Sequence, residues 1–278
     1  MASWTPAYNT NGFAHHRLID AIEILAELGY GGVALTPDVH HLDPFDAAHS
    51  DHCLAFKSET ERLGLRVTLE SGARFNLDPR KKHYPSLLCP QNGQVRLDYL
   101  SRCHETALAI GAESISFWSG HNFDGLPDDE AWGLLAERVK ELTDGFRGSG
   151  VAWGVEPEPG MFLETLDQYQ QLCDRVPQRN FGLALDLGHL MVTEERSCEQ
   201  AIREFADDIV AVAIEDMKRG VHDHLPFGAG DIHFPPIFTA LREIGYDGLL
   251  AVELSRASST AFATAEQSIE FLEPFCTA

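Results

Sequence analysis

Eight short runs of apolar, often β-branched residues alternate with longer amphipathic stretches along this chain of 278 residues. The short runs have the period of strands, and the longer stretches have the period of helices. Strands that alternate with helices form βαβ units, and right-handed crossovers close eight such units most simply into a barrel. The length is also close to that of such barrels. We therefore expect an α/β protein, a single (β/α)8 TIM barrel domain over residues 1–278.

The predicted elements follow from this periodicity. The strands cover residues 4–9, 32–38, 65–71, 113–119, 151–158, 181–186, 209–216 and 248–255. The helices cover residues 17–28, 47–63, 97–110, 128–146, 163–176, 197–205, 235–244 and 261–272. The segments 29–32 and 245–248 are Gly-Tyr-Gly-Gly and Gly-Tyr-Asp-Gly, and each joins a helix to a strand at the non-catalytic end of the barrel. The longest loop, residues 72–94, has the length typical of a lid or binding loop.

Composition narrows the classes of partner. The formal net charge is -22, and the basic residues form just one short run, Arg80, Lys81 and Lys82. A nucleic-acid site needs a basic surface that neutralises phosphates, so we expect no nucleic-acid partner. We find no apolar stretch long enough for a membrane span, no secretory leader and no CxxC pair among the six cysteines. We therefore expect a cytoplasmic protein with reduced thiols and no membrane partner; the sequence leaves a homo-oligomer open.

The late strands share one pattern of side chains. Side chains alternate across a strand, and in a barrel one set points inward while the other packs against helices. Bulky apolar residues share one face of each late strand, and mostly small residues share the other, with Leu249 as the exception. Each small face ends in an acid; the four acids are Glu156, Asp186, Glu215 and Glu253. Small faces belong inside, so we expect these acids at the C-terminal mouth, with Glu158, Asp38 and Glu70 beside them.

Several carboxylates in a partly buried mouth require a cation or raised pKa values. A single acid is more often a helix cap or half of an ion pair, but four consecutive strands with the same parity favour a shared site. Oxygen ligands suit Mg²⁺ or Mn²⁺, and an added imidazole widens the choice to Zn²⁺ or Co²⁺. The sequence therefore predicts a divalent metal ion as cofactor, and leaves its identity open among Mn²⁺, Mg²⁺, Co²⁺ and Zn²⁺.

Four segments near the strand ends carry a resemblance. Val-Glu-Pro-Glu-Pro-Gly at 155–160 resembles the "EPHPG" segment of the xylose isomerase-like superfamily, and Leu-Asp-Leu-Gly-His at 185–189 resembles its "LDTGH" segment. Residues 224–232 resemble its "H-x-P-x-G-x-G-x-I" loop, and residues 245–254 its "GYdG…vEl" closing strand. The superfamily contains sugar isomerases and epimerases, inosose dehydratases, hydroxypyruvate isomerases and endonuclease IV-type repair enzymes. Four motifs in the right order and spacing indicate the superfamily strongly and the substrate weakly.

The resemblance implies a ligand set. The superfamily's isomerase site is similar to one metal held by Glu, Asp, His and Glu from the last four strands. It implies Glu156, Asp186 and Glu253 as metal ligands here, and His189 as a contact to substrate oxygen or to a further metal. Glu158 stands where the family often has histidine, and its negative charge could hold a second cation or raise a carboxyl pKa.

The strand-seven ligand departs from the family. The pattern "H-x-x-D" would put the remaining histidine at Ala213, which has no ligand atom. Glu215, on the same face and one pleat nearer the mouth, is one replacement, and His222 or His224 from the following loop is another. The third reading is a metal site that is weakened or lost. We favour Glu215 or His224, because the other ligand types still suit a divalent ion.

Glu158 is also a candidate for substrate binding, and so are three further residues. Glu70 lies on the third strand beside Thr68. Arg74 is placed either to neutralise a carboxylate or phosphate of the substrate or to pair with Glu70. Trp118 ends the fourth strand on its inward face, as an apolar wall against a sugar or cyclitol ring or as a packed plug.

These residues predict a divalent-metal-dependent isomerase or epimerase acting on a small polyhydroxylated substrate, a sugar, keto-polyol or cyclitol. A divalent ion across a carbonyl and its neighbouring hydroxyl acidifies the C–H bond and stabilises an enediolate, while Glu156 and Glu253 move the proton. Loss of water from a keto-cyclitol uses the same first step, so a dehydratase (a lyase) is an alternative. A degenerate metabolite-binding barrel is another, supported by Ala213. A DNA repair endonuclease is disfavoured by the net charge and by Ala213.

Overall fold

Eight parallel strands close into a barrel in the computed structural model, which describes residues 4–276. The barrel strands are Thr5–Asn9 (β1), Gly32–Leu35 (β2), Arg66–Glu70 (β3), Ser114–Phe117 (β4), Ala152–Val155 (β5), Gly182–Asp186 (β6), Ile209–Ile214 (β7) and Leu249–Val252 (β10). Their order around the barrel is β1-β10-β7-β6-β5-β4-β3-β2. The expected (β/α)8 barrel is confirmed. The domain bounds of 1–278 stay a prediction, because residues 1–3 and 277–278 lie outside the described chain.

The helices form the outer layer. They are Leu18–Glu27 (α1), His49–Leu63 (α2), Gly93–Ile110 (α3), Asp128–Gly145 (α4), Leu166–Arg175 (α5), Leu190–Thr193 (α6), Cys198–Glu204 (α7), Phe234–Glu243 (α8) and Ala261–Cys276 (α9), with 3₁₀ turns at Thr10–Phe13 and Ser258–Thr260. Every predicted helix is present. The largest differences in bounds are four residues, at the start of α3 (93 against 97) and the end of α9 (276 against 272).

Local sequence explains where several helices begin and end. Gly64 and Gly111 end α2 and α3 in the left-handed conformation, with φ of 70° and 75°. Thr165 and Gln168 form a reciprocal capping box at the start of α5. Gly29 and Gly245 also have positive φ, 95° and 69°, so the two glycine-tyrosine segments are helix-to-strand turns as predicted.

Two elements are absent from the sequence prediction. One is the short helix α6, and the other is an antiparallel hairpin of Asp216–Lys218 (β8) and Val221–Leu225 (β9) that follows β7. The hairpin turns at Gly220, whose φ is 72°. Its strands are short and polar, so they lack the apolar run by which the barrel strands are recognised. This hairpin extends over the mouth and changes the site.

The barrel interior follows the predicted parity with one correction. Small residues and Leu249 line the inside, and Leu249 fits because a Cβ at Gly32 would lie 2.6 Å from its Cδ2. Val210, predicted on the outer face, instead points toward Gly154 and Gly182, where an added Cβ would lie 3.0 and 2.6 Å from its methyl groups. The register between β6 and β7 shifts after Leu183, so Val210 is the extra residue of a bulge, while the following Ala211 and Ala213 keep the predicted inward orientation.

Two expectations from composition bear on the structure. All six cysteines are free thiols. Within residues 4–276, no helix combines the length and the apolar character that a membrane crossing requires.

Candidate active site

The C-terminal ends of four strands deliver one carboxylate each to the barrel mouth. Glu156 follows β5, Asp186 ends β6, Glu215 follows β7 and Glu253 follows β10. The first three are 6%, 2% and 0% exposed, so these carboxylates are almost withdrawn from water. The strands predicted at 151–158, 209–216 and 248–255 end earlier than expected, because their last residues turn into the loops that carry these acids.

The hairpin adds two imidazoles to the acids. His222 and His224 lie on β9, and their rings are 5.4 Å apart between centroids. His224 Nδ1 lies 3.5 Å from Glu215 Oε1, which is an ion-pair distance rather than a good hydrogen bond. His222 Nε2 lies 3.8 Å from Glu158 Oε1. The hairpin therefore brings imidazole nitrogens to the mouth, where Ala213 on β7 offers no ligand atom.

The first cluster of ligand atoms consists of Asp186, Glu215 and His224, whose atoms lie within 4.8 Å of one another. The structure brings both proposed replacements for the missing histidine to the same place. Asp186 Oδ2, both oxygens of Glu215 and Nδ1 of His224 are buried and have no hydrogen-bond partner among the described residues. Buried polar atoms without partners are rare because they are costly. Four of them facing one another fit a cation.

A second cluster surrounds His189 and adjoins the first. Glu156, Glu158 and His189 also have ligand atoms within 4.8 Å of one another. Nδ1 of His189 lies 3.5 Å from Glu156 Oε1, and Nε2 lies 3.6 Å from Glu158 Oε2 and from Asp186 Oδ2. The ring is 3% exposed, and neither of its nitrogens has a hydrogen-bond partner in the described part of the chain. A third group, with ligand atoms also within 4.8 Å of one another, consists of His189, His222 and His224.

Backbone contacts explain the glycines and the aspartate of the recognised motifs. The backbone N–H of His189 donates to Asp186 Oδ1 at 3.0 Å and holds the turn after β6. A Cβ at Gly188 would lie 1.8 Å from Glu215 Oε1, so only glycine admits that carboxylate. Asp216 accepts hydrogen bonds from the backbone of Met217, Gly228 and Ile232, which folds the 224–232 loop beside the site. A Cβ at Gly230 would lie 2.3 Å from Asp216 Oδ1.

Burial dominates the electrostatics of the two clusters. Burial raises the pKa of Glu215 well above its usual value, and the neighbouring Asp186 adds to the effect. Burial, followed by the charge of Glu158, does the same for the pKa of Glu156. Burial lowers the pKa of His189 to about 3. Because these carboxyl pKa values are raised, a divalent ion would bind in competition with protons.

The pKa of His224 is raised and that of Asp186 is lowered, opposite to the shifts of His189 and Glu215. Burial by itself would lower the pKa of His224, but Glu215, Glu253 and Asp186 together raise it well above its usual value. Burial by itself would raise the pKa of Asp186, yet His189 and His224 bring it below the usual value. The carboxylate of Asp186 is therefore the most readily ionised acid of the cluster.

Glu253 lies apart from the three ligand clusters of residues 4–276. It accepts a hydrogen bond from Asn11 Nδ2 at 3.1 Å, and the same nitrogen lies 3.3 Å from Glu70 Oε2. Glu70 also accepts from Asn9 Nδ2 at 2.9 Å and from the hydroxyl of Thr36. Burial, with the nearby Glu70, raises the pKa of Glu253 to about 8.

Asn9 and Asn11 were missed by the sequence interpretation. Their signal is present in the sequence, because Asn9 ends the first strand and Asn11 follows it, at the catalytic end of the barrel. The alternative interpretation of Arg74, a salt bridge to Glu70, is wrong. The nearest carboxylate to Arg74 is Asp38, at 3.9 Å from Nη1 to Oδ2, since Glu70 is already held by the asparagines and Thr36.

A cleft of about 220 Å³ opens above the acids. Four of the five residues predicted to contact substrate line it, namely Glu70, Arg74, Trp118 and Glu158. The fifth, His189, is not among its lining residues. Trp118 is 7% exposed and packs edge-on against His83, with 4.8 Å between the ring centroids. Lys82 and His83 also line the cleft, so the long loop of residues 72–94 forms one of its walls.

Comparison with known proteins agrees with the fold and with the motifs at the strand ends. The family model described as "Xylose isomerase-like TIM barrel" matches residues 22–275. The chain belongs to this family.

Individual relatives are more distant. An inosose dehydratase of Clostridium perfringens is 26% identical over 158 residues, which are 50% of this chain and 53% of that protein. The chain thus spans about half the length of that relative. The L-ribulose-5-phosphate 3-epimerase UlaE of Salmonella paratyphi A is 23% identical over 201 residues, 71% of this chain and 70% of that protein.

Solved structures share the fold. A D-allulose 3-epimerase from Methylomonas sp., in complex with D-allulose, has a TM-score of 0.76 at 16% identity and covers 98% of this chain and 96% of its own. The IOLI protein with a bound zinc atom has a TM-score of 0.76 at 18% identity and covers 98% of this chain and 99% of its own. At this level of identity the likeness shows the barrel.

Proposed function

We propose that this protein is a divalent-metal-dependent isomerase or epimerase that acts on a sugar, a keto-polyol or a cyclitol. One observation carries the proposal: buried carboxylate and imidazole atoms without hydrogen-bond partners in the described chain face one another at the catalytic end of the barrel. Enzymes of this fold place their catalytic groups there. The epimerase and dehydratase relatives support the same class of chemistry.

Asp186, Glu215 and His224 are the residues we propose to hold the metal. Two carboxylates and one imidazole suit Mn²⁺, Co²⁺ or Zn²⁺, and fewer nitrogen ligands would favour Mg²⁺. Glu156 and Glu253, the other predicted ligands, line the same cleft. When bound, the cation supplies Lewis-acid polarisation of a substrate carbonyl and the neighbouring hydroxyl.

Glu253 and Glu156 are the proposed acid–base pair. A proton transfer group works best when its pKa lies near the operating pH, and burial places the pKa of Glu253 at about 8. One carboxylate removes the proton beside the carbonyl, which gives an enediolate, and the other returns a proton to the opposite face or to the neighbouring carbon. Asn11 orients Glu253 through its hydrogen bond.

A dehydratase acting on a keto-cyclitol is the second candidate. The relatives include inosose dehydratases, and loss of water begins with the same proton abstraction. Glu158 favours it further, because its pKa is raised well above the usual value by burial and by Glu253, so it can donate a proton to a leaving hydroxyl. Formation of a conjugated, ultraviolet-absorbing product separates elimination from epimerisation.

A degenerate barrel without catalysis was supported by Ala213 alone. Glu215 and His224 lie together in one cluster with Asp186, which supports a ligand set that does not depend on residue 213. The six free thiols further support the proposal of a cytoplasmic location.

Two measurements test the proposed function. Metal analysis of the purified protein should find a bound divalent ion, which chelation removes. A panel of ketoses, inososes and keto-cyclitols in deuterated water, with added Mn²⁺, Mg²⁺, Zn²⁺ or Co²⁺, should show deuterium at the carbon beside the carbonyl of one substrate. Absence of any bound divalent ion, together with turnover unchanged by chelator, would refute the metal-assisted reaction.

A further inference from the structure

Three cations line the same cleft as the catalytic acids. Arg74 and Lys82 come from the 72–94 loop, and Arg256 comes from the segment after β10. The cleft is also lined by four acids, Glu70, Glu156, Glu158 and Glu253, so cations and carboxylates share it. The acids and a metal account for one part of the cleft and leave this basic cluster without a role.

The three cations are not fully neutralised by the protein. Lys82 has no ion pair or hydrogen bond within the described residues. Arg74 has Asp38 at 3.9 Å, which is a long contact. Arg256 pairs with Asp223 at 2.6 Å, but its side chain is 71% exposed, so that pair is weak. Burial, then the charge of Arg74, lowers the pKa of Lys82; Glu158 opposes this shift, and Arg256 adds to it.

The loop that carries two of these cations is held in place from below. Arg96 is 1% exposed and donates from Nε to the backbone oxygen of Pro85 at 2.9 Å and from Nη2 to that of His83 at 3.0 Å. The backbone N–H of His83 donates to the oxygen of Arg74 at 2.7 Å. The guanidinium of Arg96 also lies 4.9 Å from the ring centroid of Trp118. This fixed loop lowers the entropic cost of binding a ligand at its cations.

We propose that the substrate carries a negatively charged group, a carboxylate or a phosphate, which Arg74, Lys82 and Arg256 bind. Guanidinium groups match either anion with two parallel hydrogen bonds, and an ammonium adds a point charge. The reacting carbonyl then lies at the acids while the anion lies at the rim, and Trp118 forms the wall between. The assignment of the reacting end rests on the proposed function; the anion site itself rests on the basic cluster.

Calorimetry tests the proposal by measuring the affinity of three related polyols for the protein supplemented with Mn²⁺. D-sorbitol is neutral, D-gluconate carries a carboxylate, and D-sorbitol 6-phosphate carries a phosphate. We expect at least one charged polyol to bind about tenfold more tightly than sorbitol, the combined effect of several partly exposed charge pairs. The difference in affinity between the charged and the neutral polyol should decrease as salt is added. The better of the two charged ligands identifies the anion.

The chain offers a matched control next to Lys82. The ammonium of Lys81 lies over the rings of Tyr84 and Phe123, at 4.2 and 3.9 Å from their centroids, and does not line the cleft. Lys82→Gln and Arg74→Gln should each remove most of the advantage, and Lys81→Gln should leave it unchanged. Thermal unfolding of each variant, and unchanged affinity for sorbitol, show that the variants are folded.

Three results overturn the anion site: no binding of either charged polyol, equal binding of charged and neutral polyols, or an advantage that persists in Lys82→Gln and Arg74→Gln. An affinity for sorbitol below the measurable range counts as a lower limit on the ratio. Failure of the proposed function looks different. It leaves no bound metal and no deuterium exchange, whereas failure of the anion site leaves both intact.

Discussion

Glu215→Gln tests the metal centre most directly. Glu215 is 0% exposed, both of its oxygens lack hydrogen-bond partners among residues 4–276, and Asp186 and His224 lie beside it. The amide keeps the shape of the side chain and removes the charge that would bind a cation. We therefore expect a folded protein that has lost most of its response to divalent metal.

The magnitude follows from ligand linkage. A metal at 100 times its Kd stabilises the folded state by about 2.7 kcal/mol. Unfolding of 278 residues has an entropy of about 0.6 kcal/mol/K, so the wild-type Tm should rise by about 5 °C. If loss of Glu215 weakens Kd about 100-fold, the same metal concentration stabilises by only about 0.4 kcal/mol, or about 1 °C.

The assay is thermal unfolding of chelator-treated protein over a series of Mn²⁺, Co²⁺ and Zn²⁺ concentrations. Glu113→Gln is the matched control. Glu113 precedes β4 at the opposite end of the barrel, where it pairs with Arg66 at 2.6 Å. The control should keep the full rise in Tm. A full rise in Glu215→Gln, or no rise in the wild type with any of these metals, contradicts the metal assignment.

Three further predictions use other parts of the structure. Glu253→Gln should lower kcat at least about 100-fold while the Tm stays near that of the wild type, because the amide cannot take up a proton; near-wild-type turnover would refute the assignment. Gly188→Ala puts a Cβ 1.8 Å from Glu215 Oε1, so calorimetry should show weaker Mn²⁺ binding. Urea unfolding should show that the free energy of unfolding falls by about 1–3 kcal/mol. Unchanged values of both would show that the turn after β6 can move. Burial lowers the pKa of His104 to about 4 in the folded state, below its ordinary value of 6.5, so the folded state binds fewer protons and stability falls as pH drops from about 6.5 toward 4. In His104→Phe, which keeps the stacking on Trp153, the decrease in the urea midpoint between pH 7 and pH 5 should be smaller, and an equal decrease would contradict the burial effect.

The barrel and the placement of its acids were predictable because they depend on local periodicity. A period of two decides which side chains face inward, and a barrel needs small residues there, so Ala184, Ala211 and Ala251 mark the inside without any knowledge of contacts. The same parity put Glu156 and Asp186 at the mouth. It failed at Val210, since a bulge between two paired strands shifts the register and is not visible in either strand alone.

The partners of these acids depended on the tertiary structure. Whether Ala213 abolishes the ligand set is open in the sequence; a short polar hairpin brings His224 beside Glu215, which supports the proposed replacement of the missing histidine. Asn11 reaches Glu253 across 242 residues of chain, and Arg74 lies near Asp38 instead of Glu70. Contacts between segments so far apart depend on how the closed barrel brings its loops together. Local periodicity carries no information about that, so the sequence placed each acid on its strand, and the fold determined which side chains face it.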